Sequence, residues 1–465
     1  MPASSAASEP RPPPAPAVSV HTLERLPGDE RELAALTGLV AAHLPDGAPR
    51  RILVKPNWVR HASSPHFPLE ALVTATPLIE AVVRACLARY PGVERITVGD
   101  VPLQDCDWEA LWEQAGLGAL QDRLAAASGG RVALCDLRRE RFRLEGGFLR
   151  RVEGAACGDP QGYREVRLGR NSLLDPIAGE GARFAVSDYD ARLIAESHRP
   201  GEHRYLIAGS ALDADLVVNL PKMKTHQKAG LTGALKNLVG ITGQKGSLVH
   251  YRAGTPRRGG DEFAPDAARL VRLQVFVRAR LQKRSPALFA AARGVWRVLR
   301  RAAGIRTEGT PDNLDAPFYM AGGAWYGNDT IWRMIYDLNR IVRYADRDGV
   351  LRDRPQRAYL AILDGVVAGE GNGPLQPLPV AAGLVAFSAD PFALDAVTAR
   401  LMGFDRARIP QLAHAAEFGD PEWGAWDPGR LAVALDSRLV TGVDAVPVRR
   451  RFRPAPGWKG HLELP

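Results

Sequence analysis

Cysteine is scarce in this sequence, and its four copies lie far apart along the chain. Zinc ribbons and iron–sulfur clusters need cysteines a few residues from one another, and none of the four has such a neighbour. Disulfide frameworks are typical of short secreted chains rather than of a chain of 465 residues. We therefore expect isolated thiols in the core and no iron–sulfur cluster.

Long apolar runs are also missing. No stretch reaches the roughly 18 uncharged apolar residues of a membrane-spanning helix. The N-terminus is rich in Ala, Pro and Ser, without the basic start and apolar run of a secretory signal. Residues 1–18 are predicted to be a disordered tail. These absences favour a cytoplasmic location and leave association with a membrane surface open.

Positive charge is in excess, with a formal net charge of +9. This balance favours anionic partners, which include phosphates, carboxylates, nucleic acids and acidic membranes. Nucleic acid is the least favoured of these, because the sequence has no recognised nucleic-acid module and no basic stripe interleaved with aromatic residues. A small anionic molecule is the expected partner.

Strand-like and helix-like segments alternate along most of the chain. Arg51–Pro56, Arg95–Asp100 and Arg131–Asp136 are short, largely apolar runs separated by helical periodicity, and Asp215–Leu220 has the composition of a fully buried strand. The pattern predicts an α/β protein with mostly parallel, Rossmann-like sheets in two lobes. The predicted parts are an N-terminal α/β lobe at 19–260, a basic helical insert at 261–307 and a C-terminal α/β lobe at 308–465.

The predicted insert carries two basic amphipathic stretches, Ala267–Arg284 and Pro286–Ala303. Such stretches suit peripheral contact with an anionic membrane, a lid over the body of the protein, or a helix pair that binds a partner. Packed helices with an arginine-rich solvated face remain the favoured interpretation.

Lysine use is strongly biased. Only eight of the 61 basic residues are lysine, and five of these eight lie between Lys222 and Lys245. A sequence this rich in arginine would use arginine wherever a positive charge suffices. The clustered lysines therefore indicate a need that arginine cannot meet, such as a compact ammonium group, a lowered pKa or proton transfer.

The lysine-rich segment follows the strand Asp215–Leu220, and ligands of parallel α/β sheets bind beyond the carboxyl ends of strands. Gly230 and Gly233 precede a short helix-like stretch whose backbone N–H groups would favour an anion. His226 lies among cations, which should keep its imidazole neutral and able to exchange protons near pH 7. The predicted catalytic residues are His226, Lys236 and Asn57, and the predicted substrate-binding residues are Lys55, Lys222, Lys224, Asn237 and His250.

A second group of candidates is acidic. Asp364 and Glu370 bracket a glycine-rich loop, and Asp395 follows near the start of a helix. Carboxylates that meet a phosphate pocket could hold Mg²⁺. The alternative is that they cap helices and pair with the lysines.

At these residues the sequence resembles the family of the domain of unknown function 362. The specific pieces are Pro221-Lys-Met-Lys-Thr-His226 and Leu235-Lys-Asn-Leu-Val-Gly240, and the resemblance spans about 51–419. Many members carry a ferredoxin-like cysteine module, which this sequence lacks, so the resemblance implies no iron–sulfur electron transfer here. The family name assigns no general activity.

The sequence is more weakly similar to the nickel-pincer lactate racemases. Asp215, His226 and Lys236 follow the order and spacing of that family, in which the histidine moves a proton at a substrate carbon and the lysine anchors the cofactor. The second catalytic histidine of that family has no counterpart here. The similarity implies a shared fold and site placement, not a shared cofactor or reaction.

Three functions follow from these observations as hypotheses. The favoured one is an enzyme that acts on a small carboxylate- or phosphate-bearing substrate through a lysine pocket and a histidine acid or base. Its reaction class stays open between an isomerase- or lyase-like proton transfer and a transferase. The alternatives are a Mg²⁺-dependent transferase and a non-enzymatic protein associated with a membrane or polymer.

Overall fold

The computed structural model describes residues 17–145, 148–152, 158–179, 183–186, 191–267, 272–273 and 321–465. Most of the predicted basic insert and residues 1–16 of the predicted tail lie outside the described residues. Within them the chain has the mixed α/β class and the mostly parallel central sheet that the sequence predicts.

The described strands are β1 (Val18–Thr22), β2 (Arg51–Pro56), β3 (Arg95–Asp100), β4 (Val132–Asp136), β5 (Phe142–Glu145), β6 (Phe148–Arg151), β7 (Tyr163–Arg167), β8 (Phe184–Ala185), β9 (His198–Arg199), β10 (Glu202–Ala208), β11 (Leu216–Leu220), β12 (Lys222–His226), β13 (Gly230–Leu231), β14 (Tyr251–Arg252), β15 (Ala358–Asn372), β16 (Gln376–Ser388), β17 (Ala432–Leu435) and β18 (Arg438–Thr441). The described α-helices are α1 (Glu30–Ala41), α2 (Leu69–Leu72), α3 (Thr76–Arg89), α4 (Trp108–Gln114), α5 (Leu117–Ser128), α6 (Ala191–Ser197), α7 (Gly209–Asp213), α8 (Gly233–Asn237), α9 (Ile331–Tyr344), α10 (Pro391–Leu401) and α11 (Pro410–Ala413).

One sheet of eleven strands forms the centre of the described part of the chain. Its order is β18-β17-β1-β16-β15-β11-β2-β3-β4, and β12 and β13 continue it beside the second half of β15. The pairs β15–β11, β11–β2, β2–β3, β3–β4, β12–β15 and β1–β17 are parallel. The carboxyl ends of β2, β3 and β11 therefore meet at one edge.

The sheet does not divide where the two predicted lobes would meet. β15, from the predicted C-terminal lobe, pairs along its first half with β11 of the predicted N-terminal lobe. The mostly parallel sheet that the sequence predicts is therefore continuous across that boundary. The reason is that β15 is fifteen residues long, so it pairs with β11 and then with β12.

Hydrophobic cores cover both faces of the sheet. Side chains alternate between faces along a strand, so Leu53 of β2 joins one core while Ile52 and Val54 join the other. β11 alternates in the same way, which explains why both strands are almost continuously apolar.

Strand β1 begins at the last residue of the predicted N-terminal tail. Val18 is fully buried and begins a strand that lies between β16 and β17. Its valines are too few to stand out from the Ala- and Pro-rich sequence before them, so only the pairing with distant strands identifies the segment.

Candidate functional site

The lysine-rich segment enters the protein as strand β12, directly after Pro221. Alternate residues of a strand share a face, so Lys222, Lys224 and His226 point to the same side. All three are buried, with at most 5% of each residue exposed. The amines therefore point into the protein and not into bulk water.

Lys222 forms a buried ion pair. Its Nζ donates to Asp364 Oδ2 at 2.9 Å, and the same carboxylate oxygen accepts from the backbone N–H of Ala75 at 2.8 Å. The parallel register of β12 and β15 sets Lys222 opposite Asp364. This carboxylate compensates the charge of Lys222, and the ion pair links strands β12 and β15.

A chain of amides connects Lys224 to strand β11. Lys224 Nζ donates to Asn57 Oδ1 at 2.6 Å and to the Leu72 carbonyl at 2.5 Å. Asn57 Nδ2 donates to Asn237 Oδ1, and Asn237 Nδ2 donates to Asn219 Oδ1, each at 2.7 Å. Burial, followed by the charge of Lys222, holds the Lys224 pKa well below its usual range. These buried hydrogen bonds fix the orientations of the Asn57 and Asn237 side chains.

Lys55 pairs with Asp100 across the ends of β2 and β3. Its Nζ lies 2.9 Å from Asp100 Oδ1, and the Asp100 carboxylate also accepts from the Trp58 N–H at 2.7 Å. The backbone of Gly240 lies so close that a Cβ there would be only 2.5 Å from Lys55 Nζ. The buried ion pair between Lys55 and Asp100 therefore requires a residue without a side chain at position 240.

The N-terminus of α8 is occupied by the protein itself. Asp395 of α10 accepts hydrogen bonds from the N–H groups of Ala234 and Leu235, at 2.5 and 3.0 Å. A Cβ at Gly233, whose φ is +54°, would overlap this carboxyl group. Burial raises the Asp395 pKa to about 8, although the two N–H donors oppose the shift. The predicted anion site at this helix terminus is corrected: an internal carboxyl group fills it.

Lys236 differs from its neighbours because no described residue accepts a hydrogen bond from its amine. The side chain is half-buried near the end of α8. Burial, and then the charges of Lys245 and Lys228, lower its pKa to about 7. An amine of this kind is partly neutral at physiological pH, and a bound anion would stabilise its protonated form.

His226 has a defined tautomer. Its Nδ1 accepts from the backbone N–H groups of Lys228 and Ala229, at 3.1 and 3.2 Å. A nitrogen that accepts carries no proton, so the neutral ring is protonated at Nε2. Burial, and then Lys236, hold the His226 pKa well below its usual range. In this geometry the neutral ring presents Nε2–H as a donor, which corrects the expectation of a free base.

His250 lies just before β14 and is half-buried. Its Nδ1 lies 3.1 Å from the Leu248 carbonyl. Burial, followed by Lys228 and Lys236, holds the His250 pKa well below its usual range. Lys228 and Lys236 thus lower the pKa of both histidines, which places the two rings in the same field of positive charge.

The structure gives the three acidic candidates separate partners. Asp364 binds Lys222, Asp395 caps α8, and Glu370 accepts from the Arg453 N–H at 2.8 Å. In the part of the chain that the structure describes, no three His, Cys, Asp or Glu side chains come together in a group that could hold a metal ion. The magnesium-dependent transferase stays a prediction without a metal site of this kind among those residues.

The structure thus gathers most of the predicted site residues at one edge of the sheet. Asn57, Lys224 and Asn237 are in one hydrogen-bonded chain, and Lys55 and Lys222 join adjacent strands. Sequence reasoning missed Asn219, which lies inside an apolar run. An amide within such a run is the signal that could have identified it.

Comparisons with known proteins agree with the sequence motifs. The profile of a family described as domain of unknown function (DUF362) matches residues 158–400. A thylakoid-associated protein of Synechocystis sp. is 24% identical over 214 residues, which cover 46% of this chain and 40% of that protein. The matched region thus spans less than half the length of this relative. No solved structure gives a significant match.

Among the described residues, no helix has the combination of length and apolar composition that a membrane-crossing helix needs.

Proposed function

Because this chain belongs to the DUF362 family, whose name assigns no activity, we propose a function from the chemistry of its own site. The protein is an enzyme that acts on a small anionic substrate bearing a carboxylate or phosphate group. Lys236 binds the anion, and His226 exchanges a hydrogen bond or proton with the reacting group.

The observation that carries this proposal is the unpaired amine of Lys236. Lys55 and Lys222 have carboxylate partners, whereas among the described residues Lys236 has none. A half-buried cation without a partner is costly, and a bound anion would supply the missing charge. The proposal therefore assigns anion binding to Lys236 and a supporting structural role to Lys55, Lys222 and Lys224.

The neighbouring imidazole supports an enzyme over a passive binding protein. A neutral ring with a fixed Nε2–H can donate to negative charge that develops on a substrate oxygen. The donor geometry is set in advance by the two backbone N–H groups that hold Nδ1. These features suit proton transfer next to a carboxylate, and they leave a transfer reaction as the alternative class.

Anion binding is tested first with sulfate, by isothermal titration calorimetry. A charge-assisted hydrogen bond contributes about 1.5–3 kcal/mol, and 1.4 kcal/mol is a factor of about ten in affinity. We therefore expect Lys236→Met to weaken sulfate binding about tenfold or more. Arg430→Met removes one exposed positive charge elsewhere and should leave the affinity unchanged. Equal losses of sulfate affinity in both variants would show that the affinity depends only on net charge, which would contradict a specific role for Lys236.

Turnover is tested by incubating the protein with small hydroxy- and oxocarboxylates in D₂O and following the loss of carbon-bound protons by NMR. His226→Asn is the informative variant, because asparagine Oδ1 can accept the backbone N–H groups that Nδ1 accepts. It should keep its circular dichroism spectrum and sulfate affinity and lose exchange by a factor of about 10²–10⁴. Undiminished exchange on an identified substrate would remove His226 from the chemistry.

The name of the Synechocystis relative favours a second candidate function, association with a membrane surface. That name describes the relative, and here it supports a role for the arginine-rich stretches of the predicted insert. Replacing Arg272, Arg278 and Arg280 by Gln should weaken sedimentation with phosphatidylserine vesicles, each arginine contributing about 1 kcal/mol. Vesicles of phosphatidylcholine alone are the control. Unchanged binding to the anionic vesicles would end this candidate.

A further inference from the structure

His226 and His250 are held in opposite tautomers, and we propose that His250 Nε2 is the proton acceptor of the site while His226 Nε2–H is the donor. This inference rests on the proposed function and deepens it. It names the substrate class as a carboxylate with a C–H bond next to a carbonyl or carboxylate group.

The tautomer of His250 follows from the group it contacts. The Leu248 carbonyl oxygen has no proton to donate, so the 3.1 Å contact requires a proton on His250 Nδ1. In the neutral ring Nε2 then carries the lone pair. No described residue occupies Nε2 with a hydrogen bond, and the ring is half-buried rather than enclosed.

The position of the His250 ring is fixed from its backbone as well. The His250 N–H donates to the Ala185 carbonyl at 2.9 Å, and the His250 carbonyl accepts from Asn328 Nδ2 at 3.0 Å. A base held by its main chain and its Nδ1 has one direction left for Nε2. This is the positioning that general base catalysis requires.

The two rings respond differently to an added proton. A proton on His250 Nε2 leaves the hydrogen bond from Nδ1 to Leu248 intact. A proton on His226 Nδ1 would instead break the hydrogen bonds from Lys228 and Ala229. The geometry therefore permits His250 to accept a proton and opposes the same step at His226.

Contacts between the two segments support a shared site. Lys228, two residues after His226, places its Nζ 5.2 Å from the ring centroid of Tyr251, which follows His250. The charge that His250 would carry also contributes to the lowered pKa of His226. A substrate anion on Lys236 would thus lie in a field that both histidines share, and its negative charge would offset the lysine charges that help to hold the His250 pKa well below its usual range.

The proposed step balances without an oxidant or a metal. His250 Nε2 takes the proton from the substrate carbon, and the electron pair of the C–H bond moves to form a carbon–carbon double bond. The electron pair of the adjacent C=O bond moves to its oxygen, which accepts a hydrogen bond from His226 Nε2–H. Replacement of the proton on His250 by one from solvent, followed by its delivery to the same carbon, completes a hydrogen exchange.

The tautomers can be measured without knowing the substrate. In protein with ¹⁵N-labelled histidine, long-range ¹H–¹⁵N NMR at pH 7.5 distinguishes the protonated ring nitrogen from the other. We expect His250 protonated at Nδ1 and His226 at Nε2, assigned by the signals lost in His250→Gln and His226→Asn. The same tautomer at both residues, or the reverse arrangement, would overturn the inference.

A second measurement uses the wild-type protein only and so does not depend on a variant that folds. Diethylpyrocarbonate attacks an imidazole nitrogen with a free lone pair, and peptide mass spectrometry identifies the modified residue. We expect modification of His250 but not of His226, and protection of His250 by sulfate. Exposed His66 should react equally with and without sulfate. Modification of His226 in preference to His250 would contradict the assignment.

The anion site and the tautomer of His250 are tested separately by these measurements. If sulfate does not bind, the proposed anion site fails whatever the tautomers are. If sulfate binds and protects but His250 carries its proton on Nε2, the anion site stands and the assignment of His250 as acceptor fails.

Discussion

Five lysines with the same side-chain chemistry meet different partners at this site. Lys55 and Lys222 face carboxylates, while Lys224 and Lys245 donate to neutral oxygens. Lys236 faces no acceptor among the described residues. This difference in hydrogen-bond partners leaves the Lys236 amine as the candidate for binding an anion.

The Lys236 amine should make anion binding dependent on pH. Its pKa is lowered to about 7, and only the ammonium form attracts an anion, so sulfate affinity should be highest below pH 7 and fall as pH rises through 8 and 9. Titration calorimetry across pH 6–9 checks this, since sulfate keeps its charge over that range. Lys236→Arg stays protonated and should hold its affinity at pH 9. A flat profile in the wild type would contradict the assignment.

Gly240 should be intolerant of a side chain. A Cβ there would overlap the Asp100 carboxylate, so Gly240→Ala should lower the free energy of unfolding by about 1–3 kcal/mol. Gly38 in α1 is the matched control, because a Cβ there meets nothing within 4 Å. Gly38→Ala should raise the free energy of unfolding by about 0.5–1 kcal/mol. Urea denaturation measures both, and equal effects would contradict the described packing.

At the scale of elements, α8 is held by a neighbouring helix rather than by its own sequence. It is one turn long, and its first N–H groups bind Asp395 of α10. A helix this short is marginal alone. The positions of Lys236 and Asn237 therefore depend on α10, far away in the sequence.

Asp395→Asn tests this dependence. An amide has one accepting oxygen where the carboxyl group uses two, so one N–H of α8 would lose its partner. The expected loss in the free energy of unfolding is about 1–3 kcal/mol, together with weaker sulfate binding through misplaced Lys236. Asp122→Asn, at an exposed position of α5, is the control and should change neither quantity. Sulfate binding that is unchanged in Asp395→Asn would rule out the proposed coupling between α10 and Lys236.

At the scale of the whole molecule, one sheet joins segments that are distant in the chain. β1 lies between β16 and β17, and β15 bridges the strands of both predicted lobes. Each face of this sheet carries its own core. A sheet shared in this way couples the stability of both halves.

We therefore expect a single cooperative unfolding transition. Trp58 and Trp108 lie in one core, and Trp332 and Trp458 lie in the other. Variants that retain only one of these pairs should give coincident urea midpoints by tryptophan fluorescence and by far-ultraviolet circular dichroism. Midpoints that separate between the two cores would show that the two faces of the sheet lose their packing independently, and would contradict a single transition.

The sequence by itself determined the α/β class, most of the parallel strands and the segment that carries the lysine cluster. Apolar runs and their periodicity are local properties, and buried parallel strands display them strongly. The lysine bias was likewise visible without a structure. Strand β1 was not, because its burial comes from strands more than 350 residues away.

Only the tertiary structure decided which candidates are paired and which amine has no partner among the described residues. Asp395 at α8, Asp364 at Lys222 and the backbone donors at His226 are contacts whose geometry no spacing in the sequence specifies. The free energy of a buried charge depends on the few groups within hydrogen-bonding distance, and folding brings those groups together from remote parts of the chain.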